Sequence, residues 1–360
     1  MSTRRTAWFT VLLVFALLAA ACGGGNPASE GGTAATGCAG ASGDDISVGL
    51  AFDIGGLGDQ SFNDAANAGL QRAIEDGLVA EEHVKTIEAN ATGSNRDDNV
   101  VNLSDQECDV IFAVGFAFSE GINQTAKDYP NVKYAVVDGF AEEAENVTNL
   151  GFKEEEGSFL VGAAAAMKSK SGTIGFLGGQ EGTGLIEKFE AGYTAGAKEV
   201  DPNIEVLVEY IGDNTAAFND PTKGEALSAK MYDAGADVIY HASGASGAGL
   251  FKAAVEADGL AIGVDSDQSL TASPEQRELI LTSMLKRVDT AVYDTIKQVS
   301  EGEFTTGFQV FGLAEDGVDY AVNQYNDTDE LLSSDIQDQL DEFKQDIIDG
   351  KIKVPVEPGG

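Results

Sequence analysis

The chain predicts a two-lobed α/β protein built on parallel sheets. Short apolar, β-branched runs alternate with helix-length amphipathic stretches. That alternation occurs twice on one plan, and 360 residues exceed the usual size of a single core. The first half runs ISVGLAFD, a glycine-rich loop, a helix from about Ser61 to Asp76, VKTIEAN, a helix around Asp97 to Gln106, DVIFAVG, a helix around Ser119 to Lys127, and KYAVVDG. The second runs GTIGFLGG, a helix from about Leu185 to Val200, IEVLVEYIG, a helix around Lys223 to Ala234, DVIYHASG, a helix around Gly249 to Ala257, and LAIGVDSD.

The halves align on particular residues. CDVIFAVGF stands against ADVIYHASG and YAVVDGF against IGVDSDQ, so Asp138 and Asp265 both fall at the carboxyl end of a fourth strand. Strands linked through helices form βαβ units with right-handed crossovers, which gives two Rossmann-like lobes. Open parallel sheets bind ligands beyond the carboxyl ends of their strands, so the two sets of loops are expected to face each other across a cleft. After Asp265 a strand, a helix and the segment FQVFGLAEDGVDYAVNQY follow, and the chain is expected to cross between lobes more than once as a multi-strand hinge. Lobe 1 is assigned residues 46–150 plus about 288–306, and lobe 2 about 151–287 plus 307–360. LDEFKQDIIDGKIKVPV reads as a terminal helix and a short strand.

Residues 1–21 carry Arg4 and Arg5 before an apolar run from Trp8 to Ala21, the pattern of a cleaved export signal. The run is short for a membrane span of about 20 residues. Small residues precede Cys22, and the segment resembles a lipoprotein signal whose cysteine is lipidated, with Ala19 where that pattern prefers leucine. The paired arginines leave general and twin-arginine export both open. Residues 22–43 then form a lipidated cysteine and a flexible Gly/Ala/Ser/Thr tether, which would hold the body at the outer face of the cytoplasmic membrane. Cys38 lies in the tether and Cys108 precedes an apolar run; a buried free thiol is expected at Cys108, with a Cys38–Cys108 bond as the alternative.

Losing the signal removes two of 22 basic residues and none of 60 acidic ones, which moves the formal net charge from −38 to −40. Such a surface excludes nucleic acid and is a poor long-range partner for anions. It fits a high-salt habitat, or simply an acidic exported protein.

The strand-end loops supply the candidate ligand-binding residues. Asp53 ends the first strand, and Phe62 and Asn63 open the first helix behind the loop GGLGDQSFN, whose glycines are expected to let backbone approach a ligand. Phe116 follows the third strand and Asp138 the fourth; Phe218, Gly244, Asp265 and Lys286 occupy loops or strand ends of the second half. Phe62 and Phe218 are expected at matching loops as a sandwich for a flat ring. Ionised Asp53, Asp138 and Asp265 accept only, which suits hydroxyl and N–H donors on a neutral ligand. Lys286 is expected as the lone cation of the cleft.

No catalytic residue, metal site or cofactor is expected. His83 sits in an acidic turn, and His241 is equally a packed or a cleft-lining residue. HASGASGAG lacks the G-x-S-x-G spacing and GFLGGQEG lacks the Lys-Ser/Thr of a phosphate loop.

DIGGLGDQSFNDAANAGL, GFKEEEGSFLVGAAAA, GTIGFLGGQEGTGLIEKFEAGYTAGAK, FNDPTKG, GADVIYHASGASGAGLF and IGVDSDQ with TSMLKRVD, in that order, resemble the basic membrane protein (PnrA-like) family. The likeness covers nearly everything after the tether. It implies a type I periplasmic-binding-protein fold and a lipid-anchored, monomeric substrate-binding protein that delivers a purine nucleoside (inosine, guanosine or adenosine) to a membrane ABC permease. It further implies that Phe62 and Phe218 stack on the base, Asp53 and Asn63 read its edge, and Asp265 with Lys286 holds the ribose hydroxyls. A sugar or other small-molecule sensor is the alternative within binding, and a nucleoside-cleaving enzyme the alternative outside it.

Overall fold

The computed structural model describes Cys38, residues 45–325 and residues 331–359. The export signal, Cys22 and the tether apart from Cys38 lie outside the described residues.

The first half contributes β1 (Val48–Phe52), α1 (Phe62–Glu75), β2 (Val84–Glu88), α2 (Arg96–Asp105), β3 (Val110–Val114), α3 (Ser119–Asp128), β4 (Lys133–Val137) and β5 (Val147–Phe152). The second contributes α4 (Glu154–Lys168), β6 (Thr173–Gln180), α5 (Ile186–Val200), β7 (Glu205–Gly212), α6 (Pro221–Asp233), β8 (Val238–Ala242), α7 (Ala248–Ala257), β9 (Leu260–Asp265), the single turn α8 (Pro274–Arg277) and β10 (Ile280–Lys286). The chain ends with α9 (Val288–Ser300), β11 (Gly307–Phe311), β12 (Val318–Tyr320) and α10 (Ser334–Ile348).

Among the described residues two six-stranded sheets result, ordered β11-β5-β4-β3-β1-β2 and β12-β10-β9-β8-β6-β7. The orders superpose term by term, so the repeat seen in the sequence is a repeat of topology. All pairings are parallel except β10 with β12. Strands β1 and β3 are apolar and buried at every position because helices cover both faces of the sheet. In β1, β3 and β4 alternate residues divide between two cores: Val48, Leu50, Phe112 and Val137 on one side, and Ala51, Ile111 and Val136 on the other.

Among the described residues three crossings join the lobes, at residues 152–154, 286–288 and 311–318. Helix α4 leaves β5 to pack on α5, β10 and β12, whereas α9 leaves β10 to pack back on α1. Glycines let α4 and α5 approach closely: a Cβ on Gly196 would collide with the carbonyl of Phe159. Helix α10 covers α4, with Phe343 edge-on to Phe159 at 5.7 Å.

Four sequence expectations need correction. Residues 307–311 form the edge strand beside β5, so lobe 2 does not take the whole of 307–360. No strand follows α10 among the described residues. Strand β5 escaped the sequence reading because Thr148 and Asn149 interrupt its apolar pattern; Asn149 is nonetheless buried, its amide paired with both backbone groups of Ala141. Cys108 is not a free thiol but is disulfide-bonded to Cys38, both buried in the cluster of Leu103 and Ile111. The sequence hides this pairing because 70 residues separate the partners.

Closing a loop of that length restricts the unfolded chain, and its loss is expected to lower stability by about 2–4 kcal/mol. Thermal melts of the Cys38→Ala/Cys108→Ala double variant, and of wild type in reductant, should both fall several degrees below the oxidised protein. Equal melting temperatures would remove the bond from the stability account.

Candidate ligand site

The carboxyl ends of both sheets face one interlobe cavity of about 640 Å³, a volume that includes its opening to solvent. Its lining contains Asp53, Phe62, Asn63, Phe116 and Asp138 from lobe 1, and Phe218, Gly244, Asp265 and Lys286 from lobe 2. The nine residues singled out from sequence are thus brought together. Asp59, Leu185, Ile186, Phe189 and Ser243 also line it and were missed. The repeat offered a signal for three of them, since the start of α5 is the topological counterpart of the start of α1.

That counterpart relation corrects the aromatic pairing. Phe218 follows β7, whose partner in lobe 1 is β2, so it is not the mate of Phe62. Across the cleft its ring instead meets Phe116 edge-on, with centroids 6.4 Å apart and planes at 70°. Gly244, at φ 56°, keeps a side chain away from the carbonyl of Phe218, which a Cβ would approach to 3.2 Å.

On the lobe 1 wall Asp59 caps α1, accepting from the backbone N–H groups of Ser61 (2.9 Å), Asn63 (2.9 Å) and Asp64 (3.1 Å). Asn63 donates its amide to Asp59 at 2.9 Å and accepts from the N–H of Asp53 at 3.0 Å, which fixes its orientation. The loop glycines Gly55, Gly56 and Gly58 all have positive φ but do not line the cavity, so they serve the turn and not ligand approach. Asp53 receives the Nε of Arg96 at 2.6 Å and the N–H of Ile54 at 2.6 Å. Burial pushes the Asp53 carboxyl up, and Arg96 opposes the shift. Arg96 was passed over because its segment, NRDD, reads as a solvated acidic loop.

The hinge wall centres on Lys286, 2% exposed. Its ammonium pairs with Asp138 at 2.6 Å and Glu154 at 3.1 Å, and Glu154 also holds Lys188 at 3.1 Å. Among the described residues Lys286 is the one cation in the cavity lining; Arg96 and Lys188, which are not in the lining, pair with Asp53 and Glu154. Three rings surround the ammonium: Phe152 at 5.1 Å, Phe62 at 5.2 Å and Phe189 at 5.4 Å. Burial alone would lower its pKa, but the carboxylates of Asp138, Glu154 and Asp265 outweigh burial and the net shift is upward. Burial pushes Asp138 up, with the Lys286 charge opposing, and Asp265 likewise up to about 6. Both aspartates adopt left-handed backbone, φ 56° and 66°, at equivalent strand ends. One oxygen of Asp138, Oδ1, has no hydrogen-bond partner. A buried acceptor of this kind can take a hydrogen bond from a donor that enters the cavity.

His241 is fully buried and burial lowers its pKa to about 4, so it is a weak base at neutral pH. The hydroxyl of Ser243, which lines the cavity, lies 3.2 Å from its Nδ1. Among the described residues no cluster of side chains could hold a metal ion.

Two α/β lobes joined by three crossings, with a half-apolar, acceptor-rich cavity between their strand ends, are the build of a type I solute-binding protein of an ABC transporter. Residues 46–357 match the family model described as ABC transporter substrate-binding protein PnrA-like, and the chain belongs to that family. It is 35% identical over 335 residues to the CD4+ T-cell-stimulating antigen of Listeria monocytogenes, covering 87% of this chain and 89% of that one. It is 33% identical over 325 residues to the ABC transporter nucleoside-binding protein BmpA of Lactococcus lactis, covering 86% and 89%. A solved ABC transporter solute-binding protein from Aeropyrum pernix is similar at a TM-score of 0.74 and 29% identity, covering 87% of this chain and 94% of that one. ABC substrate-binding proteins are extracytoplasmic and work with a membrane permease on a small-molecule ligand.

Asp265 gives a pH test of the site. Its folded pKa, about 6, lies above the ordinary 3.8, so its ionised form is disfavoured by folding. That cost is absent below about pH 4, where the group is protonated folded or unfolded, and is complete above about pH 6. Asp265→Asn is therefore expected to melt above wild type at pH 8, by on the order of 3 kcal/mol, with the gap closing at pH 4. A gap independent of pH would contradict the assignment.

Proposed function

We propose that this protein binds a purine nucleoside in the interlobe cavity, delivers it to its permease, and is held at the outer face of the cytoplasmic membrane by a lipid on Cys22. The observation that carries the ligand class is the combination of aromatic faces with acceptors drawn from both lobes. Phe62 and Phe218 offer ring faces, Asp53, Asp138 and Asp265 offer carboxylates, and the lining's cation, Lys286, is already paired. A neutral ligand with a flat ring at one end and hydroxyls at the other suits this set; a phosphate meets carboxylates.

Phe62 and Phe218 then cover the base, with Phe116 against its edge, while Asp53 and Asn63 read its polar atoms. Asp138, Asp265 and Lys286 hold the ribose hydroxyls, and the open backbone at Gly244 leaves room for the sugar. The nucleoside-binding relative in Lactococcus lactis supports the same cargo. Ligand contacts both lobes only when the hinge is shut, so binding stabilises the closed form that a permease reads. The lipid reading rests on the small residues before Cys22 and on the tether that follows it.

Trp8, within the signal, is the only tryptophan, so binding is best read by calorimetry. Titration of the mature chain with inosine, guanosine or adenosine is expected to give one-to-one binding, with monophosphates and free ribose silent. Phe62→Ala should weaken it about 10-fold or more. Heat from a sugar alone would transfer the site to sugar binding, and release of free base on incubation would make the protein an enzyme. For the anchor, Cys22→Ser should move the protein from the membrane fraction to the soluble fraction; an unchanged distribution would exclude lipidation at Cys22.

A further inference from the structure

His241 is buried and lies outside the cavity lining, and the binding proposal gives it no work. Its hydrogen bonds fix its tautomer. Nε2 lies 2.9 Å from Gln268 Oε1, and an amide oxygen can only accept, so Nε2 carries the proton. Nδ1 is then the acceptor for the hydroxyl of Ser243 at 3.2 Å. The ring is held edge-on to Phe251 at 5.5 Å.

Gln268 Oε1 accepts a second hydrogen bond, from the N–H of Val264 at 2.8 Å. Two donors on Oε1 exclude the flipped amide, so the NH2 group must point the other way. There it donates to the carbonyl of Gln60 at 2.9 Å, and Gln60 belongs to lobe 1. Gln60 has left-handed backbone, φ 54°, unusual for a residue with a side chain. The next residue, Ser61, donates its hydroxyl to Asp265, again across the cleft.

We propose that Gln268 is a positioning residue: oriented by His241 and Val264, it clasps the Gln60–Ser61 turn of lobe 1 and strengthens ligand binding without touching the ligand. The inference rests on the reading that ligand is bound by closure of the two lobes. The clasp sits at the start of α1, where Phe62 and Asn63 meet the cavity. Shutting the hinge through Gln268 therefore seats those side chains against whatever the cavity holds. Part of the free energy of closure comes from protein–protein hydrogen bonds, and the ligand has correspondingly less to supply.

Gln268→Glu separates this role from packing within lobe 2. The carboxylate keeps both acceptor bonds, to His241 and Val264, but at pH 8 has no proton for Gln60. A melting temperature below wild type, because the new charge is buried, a guanosine or inosine Kd raised about 3- to 10-fold, and a larger radius of gyration in ligand-free X-ray scattering are expected. Gln268→Leu, which also abandons His241 and Val264, should show the same loss of affinity together with a lower melting temperature. Kd and ligand-free radius both unchanged in Gln268→Glu would overturn the clasp. If wild type binds no nucleoside the cargo proposal fails separately, and the ligand-free scattering comparison alone then decides: an expanded Gln268→Glu supports the clasp, and an unchanged one overturns it.

Discussion

The buried ammonium of Lys286 is the interaction on which the arrangement of the lobes depends. It lies at the end of β10, where the chain leaves lobe 2, and it pairs with Asp138 of lobe 1 and Glu154 at another crossing. One cation, itself the last residue of β10, thus binds the residue that follows β4 and the first residue of α4. Removing one partner from a buried ion pair leaves an uncompensated charge and costs on the order of 3–5 kcal/mol, far more than an exposed pair. The rings of Phe62, Phe152 and Phe189 replace lost hydration around the ammonium, and two of them, Phe62 and Phe189, form part of the cavity wall. Hinge and site therefore share atoms.

Around that centre the cavity has more carboxylate than cation. Asp53, Asp138, Asp265 and Glu154 stand against Lys286, Arg96 and Lys188, and burial pushes the three aspartates upward. Such a site has a surplus of acceptors and a deficit of donors, so the bound molecule must bring its own N–H and O–H groups. The acidic exterior adds to this at long range by repelling anions before they reach the cleft. On the proposed reading, selection for a neutral ligand begins at the surface and is completed at Asp138 and Asp265.

The two lobes are joined by side-chain contacts at two places. At the hinge end Lys286 bridges to Asp138, and nearer the start of α1 the Gln60–Ser61 turn meets Gln268 and Asp265. The equivalent left-handed backbones of Asp138 and Asp265 aim their carboxylates into the cleft from opposite lobes. Residues held in that region are sustained by their surroundings, and both sit where the repeat places the fourth strand end.

The sequence by itself determined the α/β class, the doubled plan, the placement of Asp138 and Asp265 at equivalent strand ends, and the set of strand-end residues that meet in the cavity. These follow from local periodicity and from the rule that parallel strands present their carboxyl ends to ligand, both of which are written in contiguous residues. It did not determine which residues brace which. Arg96 behind Asp53, Glu154 beneath Lys286, the Cys38–Cys108 bond, the return of residues 307–311 to lobe 1 and the reach of Gln268 to Gln60 are contacts between segments far apart in the chain. No local pattern encodes them, because a side chain's partner is chosen by the three-dimensional packing of elements whose sequence separation carries no trace of the pairing. Only the tertiary structure decided them.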